Sequence, residues 1–77
     1  MNNARRKEID KAIGMLEEAK SILETVASEE RGAFDNLSEN LQNGERGQAM
    51  ERAADALDEA VSSLDDVINN ASDMKGE

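Results

Sequence analysis

A heptad spacing of apolar residues, which occurs twice, constrains the fold of this chain most. In the second half, apolar residues follow one another in alternating steps of three and four: Met50, Ala53, Leu57, Ala60, Leu64, Val67, Ala71 and Met74. The same spacing occurs 41 residues earlier, at Ile9, Ala12, Leu16, Ala19, Leu23 and Val26. Residues spaced in this way share one side of an α-helix. The sequence therefore predicts two amphipathic helices of related design.

Two helices of this length in one chain predict an all-α fold with a single domain, residues 1–77. We expect a long antiparallel helical hairpin with a short helical turn between its arms. The first helix is predicted at about 3–31, the turn region at 32–44 and the second helix at about 45–73. The hairpin brings the basic start of the first helix near the acidic end of the second, where opposite charges can partly neutralise each other.

The turn region contains several signals for helix ends. Asp35 and Asn36 can end the first helix, and Ser38 can cap a short turn of helix through Gln42. The Asn-Gly pair at 43–44 is the clearest turn signal in the chain. The last three residues are expected to fray.

The size of the apolar stripe bears on oligomeric state. A two-helix hairpin of 77 residues buries little apolar surface. In the first helix, Ile13, Met15, Ile22 and Ala27 widen the apolar arc beyond what one neighbouring helix requires. These features predict a homodimeric four-helix bundle, or a hairpin that a partner completes.

The composition excludes most chemistry. Without cysteine or histidine, the chain lacks thiol chemistry, the usual zinc sites and a base that could activate serine. A magnesium-dependent helical pyrophosphatase of the MazG type has Glu-Glu-x-x-Glu on one helix, but here Ser21 follows Glu17 and Glu18 at the third carboxylate position. We therefore expect no catalytic residue, no cofactor and no metal site, and the chain is predicted not to be an enzyme.

The net charge of −9 argues against direct binding to nucleic acid or to anionic membranes and permits binding to a basic protein surface. No apolar run approaches the roughly 18 residues that span a bilayer, and no apolar signal core follows the basic start. The expected location is the cytoplasm.

The carboxylates of the second helix have two interpretations. They are Glu51, Asp55, Asp58, Glu59, Asp65 and Asp66. They can simply solvate the outer side of the helix, as runs of charge usually do. Alternatively, they imitate a phosphate backbone over roughly 22 Å of helix and occupy a basic nucleic-acid channel.

Two apolar residues in the turn region are candidates for contact with a partner. Phe34 is the one aromatic residue of the chain, and Leu37 follows it by three positions. Aromatic anchors often dominate the energy of an interface, so Phe34 with Leu37 is a candidate anchor. The alternative is that Phe34 caps the end of the bundle.

The middle of the chain resembles a group of small proteins encoded by phages, prophages and other mobile elements of Gram-positive bacteria. The resemblance is carried by Phe-Asp-Asn-Leu at 34–37, Leu-Gln at 41–42 and Glu-Arg-Gly-Gln-Ala-Met-Glu at 45–51. Such relatives often have proline where this chain has Ser38. The group offers no catalytic residues to transfer. Some small acidic phage proteins of this kind are similar to anti-CRISPR and anti-restriction proteins, which block host nucleases.

Two functions follow as hypotheses. The leading one is a non-enzymatic inhibitor from a phage or mobile element that binds a basic nucleic-acid-handling defence protein. The six carboxylates would supply the charge, and Phe34 with Leu37 would be the anchor. The alternative is a structural or regulatory helical interaction module, similar to an antitoxin or an assembly factor, that binds through its apolar heptad positions.

Overall fold

The computed structural model describes residues 1–76 and consists of three helices in this range. They are α1 (Asn3–Asp35), α2 (Glu39–Gln42) and α3 (Glu45–Lys75). The two long helices pack against each other in an antiparallel hairpin, and α2 lies in the connection and contacts α3. The molecule is a rod of 58 × 14 × 12 Å. The prediction of an all-α helical hairpin with a short helical turn is confirmed.

The ends of α1 follow from local hydrogen bonding. The Asn2 side chain caps its start by accepting a hydrogen bond from the backbone N–H of Arg5 at 2.8 Å. The helix continues past the predicted end near residue 31, because nothing between 31 and 35 breaks its hydrogen bonding. The Asn36 N–H still donates to the Gly32 carbonyl at 3.1 Å. A single helical glycine costs only about 1 kcal/mol relative to alanine, so Gly32 does not end the helix.

The connection between the long helices follows the predicted signals. Ser38 caps α2, and its hydroxyl oxygen accepts from the Leu41 N–H at 3.4 Å. The Gln42 side chain donates to the Phe34 carbonyl at 3.1 Å, which ties α2 to the end of α1. Helix α3 starts at Glu45, directly after the predicted turn, and ends at Lys75. Of the tail predicted to fray, Lys75 is helical and Glu77 lies outside the described residues.

The contact between α1 and α3 uses eight of the 14 predicted heptad residues. Ile9, Leu16 and Leu23 are half-buried, as are Met50, Leu57, Ala60, Leu64 and Ala71. The second predicted position is largely exposed, and its exposed members are Ala12, Ala19, Val26, Ala53, Val67 and Met74. The residue that follows each of them takes its place in the contact, which therefore includes Ile13, Lys20, Ala27, Ala54, Ile68 and Lys75.

This one-residue rotation has a physical reason. Each long helix has one long neighbour, so only one narrow side of its broad apolar arc can be covered. Turning α1 by one residue brings Ile13 into the contact in place of Ala12, and turning α3 brings in Ile68 in place of Val67. The same rotation leaves Val26 and Met74 outside the contact and brings in Ala27 and Lys75. Lys20 enters the contact with its apolar stem while its ammonium reaches solvent. The hairpin still buries little: Ala27 (5% exposed) and Ala54 (4%) are its buried apolar side chains.

Candidate functional site

The hairpin has two long faces of opposite character, one on either side of the α1–α3 contact. Successive helical residues are rotated by about 100°, so the residues just after and just before a contact residue lie on opposite sides of the contact. Because α3 runs antiparallel to α1 and also faces it, the residues that follow contact positions lie on the same side in both helices. On this side, ion pairs join the two helices between Lys20 and Asp65 and between Lys75 and Asp10.

The first side is the acidic face, which contains the residues that follow contact positions. Its carboxylates are Asp10, Glu17, Glu24, Glu51, Asp55, Asp58 and Asp65. The second side is the apolar face, which contains exposed residues that precede contact positions. Its members are Ala12, Met15, Ala19, Ile22 and Val26 on α1, and Ala49, Ala53, Ala56, Val67 and Met74 on α3.

Three cations partly neutralise the acidic face by pairing across the two helices. The Lys20 Nζ lies 2.5 Å from an Asp65 carboxylate oxygen, and the Lys75 Nζ lies 2.7 Å from one of Asp10. Arg31 pairs with Asp58 and, at 3.7 Å, with Asp55. These side chains are largely solvent-exposed, so each pair contributes little to stability.

The Lys20 ammonium also lies 3.7 Å from Glu24 of its own helix. Its hydrogen bond to Asp65 is the main reason that the pKa of Lys20 is raised above the ordinary 10.5, and the negative charges of Asp65 and Glu24 add to it. Partial burial acts in the opposite direction. Lys20 therefore holds its proton more firmly in the hairpin than in the unfolded chain.

The six predicted carboxylates of α3 divide into two groups. Asp55, Asp58 and Asp65 pair with cations of α1. Within residues 1–76, Glu51, Glu59 and Asp66 make no ion pair, and all three are exposed. Glu59 and Asp66 lie on the side of α3 that is turned away from α1, whereas Glu51 lies on the acidic face. The unpaired members of this set therefore lie on two different sides of α3.

The sequence predicts that the basic start of α1 and the acidic end of α3 partly neutralise each other, but the ion pairs of residues 1–76 do not include the basic residues of this start. These residues are Arg5, Arg6, Lys7 and Lys11. The Arg6 side chain is half-buried, and its Nε has no hydrogen-bond partner among the described residues. Helix periodicity explains this result, because consecutive residues point in different directions and cannot all face α3. At this end the cross-helix pair is formed by Lys75, a basic residue of α3.

Phe34 is half-buried at the turn end of the hairpin and lines an open groove of about 340 Å³. The groove also contains Glu51 and Asp55, so the structure brings together three of the predicted partner-binding residues. Its remaining lining residues are Arg31, Asp35, Met50 and Ala54. Leu37 is half-buried in the connection after α1 and is not among the residues that line the groove.

The sequence predicted an apolar arc on α1 that is too broad for one neighbouring helix, but not which side of this arc stays exposed. On α1, residues 12, 15, 19, 22 and 26 also alternate in steps of three and four, so the helix has two overlapping apolar stripes. Met15 is 61% exposed and Ile22 is 57% exposed, which shows that α3 covers the other stripe.

Among the described residues, no group of three carboxylates is arranged to hold a metal ion. No described helix combines the length and the apolar character needed to cross a membrane. Comparisons of the chain with known protein families, with curated proteins and with solved structures find no match.

Proposed function

We propose that this protein is a non-enzymatic, protein-binding inhibitor from a phage or mobile element. Its target is a basic nucleic-acid-handling defence protein of the bacterial host, as for anti-CRISPR and anti-restriction proteins, and its location is the host cytoplasm. The observation that carries the proposal is that Glu51, Glu59 and Asp66 of α3 are exposed and make no ion pair within residues 1–76.

The electrostatic argument depends on rigidity as well as on charge. Between Glu51 and Asp66 the helix rises roughly 22 Å, so the carboxylates keep fixed spacings along a rod. A chain with a net charge of −9 also attracts a positively charged cleft over a distance of about 10 Å at moderate salt. Attraction of this kind accelerates association and weakens as the salt concentration rises.

The groove at Phe34 provides the apolar part of the proposed contact. Phe34 lines the groove together with three carboxylates, Asp35, Glu51 and Asp55, so the groove suits a partner that presents one apolar and one basic side chain. The cation that already lines the groove, Arg31, pairs with Asp55 and not with Glu51. Leu37 lies half-buried in the connection at the same end of the rod.

A second candidate function is a structural or regulatory helical interaction module that binds through apolar residues. The exposed apolar face favours it, because it offers Met15, Ile22 and Val26 to another helix. This candidate does not use Leu57 and Leu64 as contact residues, since both are half-buried between α1 and α3.

The test is capture of host proteins on the tagged chain at low and high salt, followed by competition with duplex DNA. One variant carries Glu51→Gln, Glu59→Gln and Asp66→Asn on α3. Its matched control carries Glu8→Gln, Glu18→Gln and Glu29→Gln on α1, which changes the net charge equally. Circular dichroism establishes that both variants remain helical.

The proposal expects one nucleic-acid-binding protein that is released by salt and by DNA, and that the α3 variant no longer captures. The α1 variant should retain most of the binding. Equal loss in both variants would indicate nonspecific charge attraction, and retention by the α3 variant would contradict the proposal. Capture that is insensitive to salt but abolished by Ile22→Glu would support the interaction module.

A further inference from the structure

The apolar face remains uncovered along most of the hairpin. Val67 is 46% exposed and Met74 is 54% exposed on α3, opposite the still more exposed Met15 and Ile22 of α1. At the helix positions that belong to the apolar face, no charged residue occurs from Ala12 to Val26 on α1 or from Ala49 to Met74 on α3. The residues form one continuous side of the rod, so the exposure is a contiguous patch of the kind that marks an interaction site.

The total surface of the hairpin is large for its mass. A compact monomer of 8.4 kDa exposes roughly 4,600 Å². This rod exposes 5586 Å². The excess of roughly 1,000 Å² is close to the roughly 800 Å² that each partner buries in a standard protein interface. Burial of one interface of standard size would therefore reduce the exposed area of each chain to that of a compact monomer.

The apolar face is large enough for such a contact. From Ala12 to Val26 helix α1 rises roughly 21 Å, and from Ala49 to Met74 helix α3 rises roughly 38 Å. Two helices whose axes are about 10 Å apart present a surface roughly 20 Å wide. The resulting area, roughly 590 Å² on each side, gives a total at the lower end of the range of standard interfaces.

We propose that a second copy of this chain covers the apolar face and forms a four-helix bundle. The net charge of −9 makes two copies repel each other at every charged surface, and the apolar face is the side on which this repulsion is smallest. Both halves of the face offer large apolar side chains to a second copy. Its α1 half presents Met15, Ile22 and Val26, and its α3 half presents Val67 and Met74. A two-fold axis would place the same face of each copy in the contact.

This arrangement adds the core that the hairpin lacks. Among residues 1–76 of one chain, only Ala27 and Ala54 are buried apolar side chains, whereas the bundle encloses Met15, Ile22 and Val67 between four helices. The acidic faces then lie on opposite outer sides of the dimer. The inference is independent of the proposed function, because the carboxylates of α3 stay exposed in the dimer.

The test is the mass of the purified full chain in solution by sedimentation equilibrium, together with the thermal midpoint as a function of protein concentration. The wild-type mass should be twice 8.4 kDa, and the midpoint should rise with concentration. Ile22→Glu should reduce the mass to that of one chain. Thr25→Glu, on the exposed side of α1 away from α3, is the matched control and should leave the dimer intact.

If Ile22→Glu does not fold, Ile22→Ala is the second variant, because alanine is a good helix former. It should raise the dissociation constant of the dimer about tenfold or more. The control Thr25→Ala should leave this constant unchanged. A mass of one chain at every concentration, with a constant midpoint, would overturn the proposal and leave the apolar face to a different protein. A dimer that Ile22→Glu and Ile22→Ala leave unchanged would also overturn it, because the contact would then use another surface.

Discussion

Gly47 lies against the backbone of Gln42 so closely that a Cβ at this position would be 2.6 Å from the Gln42 Cα and from its carbonyl carbon. Gly47 is buried, and its lack of a side chain allows the connection to fold back onto the first turn of α3. The other glycine of interest, Gly14, is exposed within α1, and a Cβ there would meet nothing within 4 Å.

The two glycines predict opposite effects of alanine. Gly47→Ala should destabilise the fold by about 1–3 kcal/mol, because backbone atoms must move to make space. Gly14→Ala should stabilise it by up to about 1 kcal/mol, since alanine is the better helix former and space is available. Urea denaturation followed by circular dichroism measures both. A Gly47→Ala variant as stable as wild type would show that the connection packs less closely than described.

The rotated contact between the long helices predicts different effects at two adjacent positions. Ala27→Glu should lower the free energy of unfolding by about 2–4 kcal/mol, because the 5% exposed site would place a carboxylate between α1 and α3. Ser28→Glu, at an exposed position, should change it by less than about 0.5 kcal/mol. The measurement is again urea denaturation. Similar losses for both variants would contradict the contact pattern.

The pair between Lys20 and Asp65 predicts a dependence on high pH. Because the pKa of Lys20 is raised in the folded state, the pair stabilises the hairpin at pH below 10.5 and loses this effect as the pH rises through the folded-state pKa. Lys20→Met should therefore be less stable than wild type at neutral pH, and the difference should shrink above pH 10.5. Thermal melts of both proteins over this range provide the measurement. A difference that is constant with pH would mean that the charge of Lys20 does not contribute to stability.

Arg31 offers a test of the electrostatic part of the proposed function. Arg31→Gln removes the cation that pairs with Asp55 and Asp58 and makes the acidic face more negative. The variant should associate faster than wild type with the basic partner at low salt, and the gain should disappear at high salt. Surface plasmon resonance with the captured partner measures the rates. Slower association of Arg31→Gln would indicate that Arg31 itself contacts the partner.

Local signals explain how well the helix bounds could be predicted. Asn36, Ser38 and the Asn-Gly pair at 43–44 act through hydrogen bonds to their immediate neighbours, so reading them requires no tertiary information. The same is true of the start of α1 near Asn3. The predicted end of α1 near residue 31 is four residues too early. Neither Gly32 nor the acidic residues before it stop the helix, and Phe34 reaches the packed end of the hairpin.

The candidate site was harder to predict from local sequence signals than the helix bounds were. Phe34, Glu51 and Asp55 share a groove because residues 34 and 51 come together across the turn, which the sequence suggested. The separation of paired from unpaired carboxylates was not predictable. It depends on which residues of α1 lie opposite Asp58 and Asp65, and hence on the register of the two helices.

The sequence by itself determined that this protein is two amphipathic helices joined by a capped turn, because heptad spacing and helix caps act within a few residues. Only the tertiary structure decided which side of each helix faces the other. Both sides of the apolar arc were suitable, and packing selected the one that places Ile13 and Ile68 in the contact. The opposite side, with Met15 and Ile22, stayed exposed because a helix with one long neighbour can cover only one of its stripes.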